Sequence, residues 1–171
     1  MLKYIWVAAL VLALDQITKH LATAGLQPYE PVMLLPYLNA TLMFNTGAAF
    51  SFLAGASGWQ RWFFAAIAIV VSVVIVIWLK RLPRTERWLA VALALILGGA
   101  LGNVWDRILL GHVVDFIDVY YQAGQCLPFF VQVFEPASRC HWPAFNIADS
   151  AICAGAVMLL MDGLIFKRHK N

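Results

Sequence analysis

The chain has 171 residues, of which 63% are hydrophobic and only 12% charged, with a formal net charge of +3. A soluble domain carries about 25% charged residues, so the composition excludes an ordinary water-soluble fold. It leaves length for a single membrane-embedded domain over residues 1–171. The basic residues gather at the ends of apolar stretches instead of forming a stripe, which argues against nucleic acid as a partner.

Crossing a bilayer takes about 20 apolar residues, and four stretches reach that length. The first predicted helix runs from Tyr4 to Ala22. Lys3 precedes it in the manner of a signal peptide, yet Asp15, Gln16 and Lys19 stand where small residues would mark a cleavage site, so the helix is read as retained. The segment 24–61 follows, and within it Leu42 to Phe52 has the β-branched, aromatic and aliphatic character of an extended strand. The second helix spans Trp62 to Leu79 and ends on the basic turn Lys80-Arg81-Leu82-Pro83-Arg84-Thr85-Glu86-Arg87. The third spans Trp88 to Leu109, and Gly98 and Gly102 within it are spaced to let another helix approach closely.

Beyond it, segment 110–146 contains a second extended stretch, Val113 to Tyr121. The fourth helix spans Ile147 to Phe166 and meets Lys167-Arg168-His169-Lys170. Positive charge marks the cytoplasmic side, so the turn at residues 80–87, the tail and both termini are expected inside. Segments 24–61 and 110–146 are then outside. Sheet edges cannot face lipid, which places the extended stretches at or above the headgroups, with Trp59, Trp62 and Trp142 as interfacial anchors. The expected architecture is an all-α membrane bundle of four helices carrying a small extracytoplasmic β platform.

This topology sorts the charges by depth. Asp15, Asp106, Arg107, Asp115 and Asp149 all fall near one layer at the outer interface, while Asp162 belongs at the opposite end. Asn103, Asp106 and Arg107 share a helix face, as do Asn146 and Asp149. Ionisable groups at such depth are costly and mark functional sites. Asp115 and Asp149 are the candidate catalytic pair: two adjacent carboxyls cannot both ionise, so one keeps a proton and the other serves as a base. Such a pair activates water against a peptide carbonyl with no metal or cofactor. Ser51, Ser57, Ser72, Ser138 and Ser150 lack a neighbouring histidine, and His112 and His141 lack the paired spacing of a zinc site.

Five blocks bear on the same residues: Leu-Asp-Gln-Ile-Thr-Lys from Leu14, Phe-Asn-Thr-Gly-Ala-Ala-Phe-Ser from Phe44, Gly-Gly-Ala-Leu-Gly-Asn-Val-Trp-Asp-Arg from Gly98, Gly-His-Val-Val-Asp-Phe from Gly111, and Phe-Asn-Ile-Ala-Asp-Ser from Phe145. In this order, on this frame, the chain resembles the bacterial lipoprotein signal peptidases (signal peptidase II), which are integral-membrane aspartyl endopeptidases. The resemblance implies cleavage of diacylglyceryl-modified prolipoproteins before the lipidated cysteine, with Asp115 and Asp149 as the catalytic pair. It also implies a bacterial inner-membrane location, an active site at the outer face, and a monomer whose partners are lipidated precursors and membrane lipids.

Asp15, Asn45, Gly47, Asn103, Asp106, Arg107 and Asn146 are carried over as substrate-binding or supporting residues. Each also has a plainer reading. Asp15 with Lys19 forms a self-neutralising pair one helical turn apart, and Asn45 before Thr46-Gly47 suits a turn. Arg107 suits a lipid phosphate as well as a brace for Asp106 or the platform. Asn103 and Asn146 suit interhelical hydrogen bonds. The stretch around Gln122 to His141 is longer than the family pattern leads one to expect, and an oxidising outer location permits a Cys126–Cys140 disulfide there. Cys153 is read as a small packing residue. Two other classes of function remain open at this point: a proton-coupled small membrane transporter, in which the acids relay protons, and a non-catalytic assembly subunit.

Overall fold

The computed structural model describes residues 1–47, 58–132 and 139–166. Residues 48–52 of the first extended stretch, Ser51, Ser57, Pro136, Ser138 and the basic tail from Lys167 lie outside the described residues. Four long helices are present: α1 (Ile5–Gly25), α2 (Gln60–Arg81), α3 (Arg87–Leu109) and α4 (Ile147–Met161). A short 3-10 turn, Leu2–Tyr4, precedes α1. The fourth helix departs from expectation, since regular α geometry stops at Met161 and a π-helical turn covers Asp162–Phe166. All four helical segments are long and apolar enough to cross a membrane.

The helices cluster around α3, which packs on α1, α2 and α4. Of its apolar window 67% is buried, against 28%, 22% and 22% for the other three, so α3 is the core helix and the others face outward. Trp6, Leu10, Leu14, Ile17 and Leu21 form an exposed apolar stripe along α1. An apolar surface this extensive is abnormal in water and ordinary against hydrocarbon.

Close approach to α3 depends on glycine. A Cβ at Gly98 would lie 2.6 Å from the Ala8 carbonyl oxygen of α1, and one at Gly102 would lie 2.6 Å from Asp15 Oδ2. The Gly98/Gly102 pair therefore faces α1, as its spacing suggested. On the α4 side the contacts are made by Gly99 against the Ala148 carbonyl and Gly155 against the Ala92 carbonyl.

The platform is a four-stranded antiparallel sheet in the order β1 (Val32–Leu35), β2 (Leu38–Asn45), β3 (Val113–Gln122), β4 (Arg139–His141). Strand β2 starts earlier than the Leu42 expected for it, and β1 and β4 carried no sequence signal strong enough to be called. Register pairs Met43 with Asp115 and Asn39 with Asp118, and a bulge between Ala40 and Met43 separates the two regions. Asp115 and Asp118 are an odd number of residues apart on β3, so they point to opposite faces of the sheet.

Asp118 organises its own face. It accepts hydrogen bonds from Asn39 Nδ2 (3.1 Å) and Thr41 Oγ1 (2.8 Å), and its other oxygen lies 2.7 Å from His141 Nδ1. All four residues are buried. His141 stacks on Tyr120, over which Arg139 also sits. Cys126 and Cys140 form a disulfide, tying the segment that follows β3 to β4.

A Gly99→Val substitution is expected to drive α4 away from α3, because its first side-chain carbon would collide with backbone that cannot yield. Overpacking of this kind costs about 1–3 kcal/mol, read as a lower thermal midpoint of the detergent-purified protein. An unchanged midpoint would contradict the packing described.

Candidate active site

At the sheet end of the bundle the chain buries an ion cluster. Lys19 Nζ lies 2.8 Å from Asp15 Oδ2 and 2.8 Å from Asp106 Oδ2, and all three residues are almost fully enclosed. The pair within α1 foreseen from spacing is present, but Lys19 also crosses to α3. Gln16 Nε2 donates to Asp106 Oδ1 (2.9 Å) and Asp15 Oδ2 (3.2 Å). Each aspartate uses a further lone pair on backbone: Asp15 Oδ1 accepts from the Ala148 amide (2.9 Å), and Asp106 Oδ2 from the Val114 amide (3.1 Å). Asp15 thus fixes the first turn of α4, and Asp106 fixes the start of β3. The residues next in sequence are Asp149 and Asp115.

A second layer consists of carboxamides. Asn103 Oδ1 accepts from Lys19 Nζ (3.1 Å), which orients the amide so that Nδ2 donates to Asp149 Oδ1 (2.7 Å). Asn146 Nδ2 donates to Asp115 Oδ1 (2.7 Å) and approaches Asn103 Oδ1 (3.2 Å). Its own Oδ1 accepts from the Asp149 amide (2.9 Å), and Asp149 Oδ2 faces the Asn146 amide at 3.4 Å. This reciprocal arrangement is a capping box. The two carboxyls are therefore joined by an unbroken relay, Asp115 to Asn146 to Asn103 to Asp149. Both asparagines bridge elements, as the hydrogen-bonding reading of them required.

Asn45 closes the β2 side. Its Nδ2 donates to Asp115 Oδ2 (3.2 Å), and its Oδ1 accepts from the Gly47 amide (3.0 Å) in a local turn. Arg107 donates to the Gly47 carbonyl (3.0 Å) and the Asn103 carbonyl (3.3 Å), with its guanidinium over Phe64. It braces the end of the platform, whereas the brace for Asp106 is Lys19. Asp162 stands at the far end of α4, apart from this cluster.

Asp115 is 2% exposed, while Asp149 is only half-buried and marks the open side. Burial, and then the negative charge of Asp149, push the Asp115 carboxyl up from 3.8 to about 7 against the opposing hydrogen bonds of Asn45 and Asn146 and the charge of Lys19. Two neighbouring acids of which one holds a proton near neutrality can act as acid and base on one water. Among the described residues, no three His, Cys, Asp or Glu side chains converge as metal ligands.

Comparison with known proteins agrees with this chemistry. The profile of the Signal peptidase (SPase) II family matches residues 7–165. The chain belongs to the signal peptidase II family. The lipoprotein signal peptidase of Pseudomonas putida (strain KT2440) is 54% identical over 171 residues, covering 99% of this chain and 90% of that protein. The lipoprotein signal peptidase of Pseudomonas paraeruginosa (strain PA7) is 56% identical, covering 99% and 91%. A solved bacterial membrane enzyme, determined in meso at 2.3 Å resolution, superposes with a TM-score of 0.79 at 30% identity, covering 100% of this chain and 93% of that one. A second, at 1.9 Å, gives 0.74 at 30% identity, covering 96% and 94%. The protein is a multi-pass membrane peptidase of the aspartic type.

Two outcomes are expected from this geometry. Replacing Lys19 with Met leaves two enclosed carboxylates without a cation, a loss of about 3–5 kcal/mol, and the thermal midpoint should fall accordingly. A pH effect follows from Asp115. Its native value lies above its ordinary one, so the fold binds this proton more tightly than the unfolded chain. That stabilisation is complete at low pH and is lost as pH rises through about 7. The midpoint should decline between about pH 4 and about pH 7 in the parent and decline less steeply in Asp115→Asn. Parallel declines in the two proteins would show that another group is responsible.

Proposed function

We propose that this membrane peptidase removes signal peptides from diacylglyceryl-modified prolipoproteins, hydrolysing the bond before the lipidated cysteine at the Asp115–Asp149 pair. The observation that carries the assignment is the carboxamide relay, which ties these two acids together and leaves one edge of the pair open. In the first step the ionised carboxylate takes a proton from water as the oxygen attacks the peptide carbonyl carbon. The protonated partner gives its proton to the carbonyl oxygen. Collapse of the resulting diol breaks the C–N bond: the proton taken from water passes to the departing amine, and one diol hydroxyl returns its proton to the carboxylate that had acted as the acid. The products are a signal peptide ending in a carboxyl and a lipoprotein beginning with the modified cysteine. The pair titrates as a unit, so neither acid owns the proton alone.

The supporting residues have distinct tasks in this scheme. Asp15, Lys19 and Asp106 position the two acids through backbone, Asn103 and Asn146 orient the carboxyls, and Arg107 holds the Gly47 turn. Asn45 touches Asp115 from the substrate side. Burial of the pair strengthens each of these interactions. The basic turn at residues 80–87 lies at the other end of the bundle from the acids, which supports cytoplasmic termini and an active site at the outer face of the bacterial inner membrane. All site residues come from one chain, which suits a monomer working beside membrane lipids.

Asp115→Asn and Asp149→Asn should each lower cleavage of a purified lipidated precursor in detergent by at least about three orders of magnitude, while the protein still inserts and folds. Processing at the parent rate by either folded variant would remove the pair from catalysis.

A further inference from the structure

The opposite end of the molecule carries a feature that the reaction does not use. A cavity of about 440 Å³ is lined by Met1, Leu2, Lys3, Arg84 and Arg87. We propose that this cavity binds the phosphate-bearing headgroup of an anionic phospholipid. From Arg87 to Asp106 the helix rises about 28 Å, so the site is a full membrane-spanning helix away from the acids.

Three cations meet here from separate places in the chain. Lys3 lies ahead of α1, Arg84 lies in the turn after α2, and Arg87 is the first residue of α3. The lining contains no carboxylate. Like charges converging on one cavity repel unless an anion sits between them, and a phosphodiester presents the oxygens that an arginine fork engages in pairs.

The surroundings favour a lipid over free phosphate. Leu2 lines the cavity, and Ile5, Trp6 and Trp88, close in sequence to its cationic residues, are exposed apolar side chains. The Trp88 indole N–H is held by the Met158 carbonyl of α4 (3.0 Å), which fixes an interfacial aromatic next in sequence to Arg87. Acyl chains leaving the cavity would run along the apolar stripe of α1. Free phosphate would gain only a screened attraction to solvent-exposed side chains, with no apolar contact to hold it.

The test is native mass spectrometry of the full chain in non-ionic detergent, titrated with phosphatidylglycerol, with phosphatidylcholine, and with inorganic phosphate as competitor. Arg84→Gln/Arg87→Gln is compared with Lys80→Gln/Arg81→Gln, which removes the same charge from the same end but outside the cavity. Lys3→Gln gives a single-charge version that leaves the α2–α3 turn intact, should the double variant fail to fold. The expected result is retention of phosphatidylglycerol by the parent and the control, about tenfold weaker retention by the cavity variant, and no displacement by phosphate. Equal retention by parent and cavity variants, an equal loss in the control, equal retention of phosphatidylcholine, or displacement by inorganic phosphate would each overturn the proposal.

Discussion

Lys19 placed between Asp15 and Asp106 is the interaction on which the rest of the molecule depends. Three charges enclosed in an apolar bundle are expensive to desolvate. Here each charge is spent on structure: the lysine joins α1 to α3 and orients Asn103, while the two aspartates grip backbone amides of α4 and β3. The bundle and the platform are thereby locked to each other at the point where their two acids must meet. An apolar packing of the same volume would be cheaper, but it would leave the register between sheet and helices unspecified.

The carboxamides solve a related problem. Two carboxyls forced together repel, and bulk water between them would let both ionise. Asn103 and Asn146 present N–H groups to the acids while turning their oxygens toward Lys19 and the α4 amide. The polar groups of this layer are satisfied by one another, which keeps the pair fixed without surrendering its proton. Because the asparagine and aspartate of the capping box also begin a helix, the proposed reactive geometry and the start of α4 are one structure. Rigid elements, not loops, hold both acids, which suits chemistry that tolerates little displacement.

Much of this was legible in the residues. Long apolar runs and flanking basic clusters gave four helices with nearly their observed limits, since nothing but helix satisfies a backbone in hydrocarbon. Depth and motif together singled out Asp115 and Asp149, and Gly98 with Gly102 announced a close neighbour. Other features had no local signal. Lys19 at one turn from Asp15 explains itself completely as a pair, so its reach to Asp106 across the bundle was invisible, and Gln16 gave no hint of bonding to both acids. The Asn146/Asp149 spacing was read as a shared face, although an asparagine three residues ahead of an acid is also how a capping box is written. Gly99 and Gly155 lie on different helices, and only their meeting gives them a role. Strands β1 and β4 are too short to show alternation. His141, unremarkable as a lone histidine, acquires its partner Asp118 only through sheet pairing.

The Cys126–Cys140 bond adds a constraint on when the protein becomes whole. Such a bond is made where thiols are oxidised, outside the reducing cytosol. It anchors the 122–141 stretch beside His141 and the buried Asp118 face of the sheet. On the outer-face orientation proposed above, the freshly made polypeptide carries its helices before it carries a finished platform, and covalent closure follows insertion.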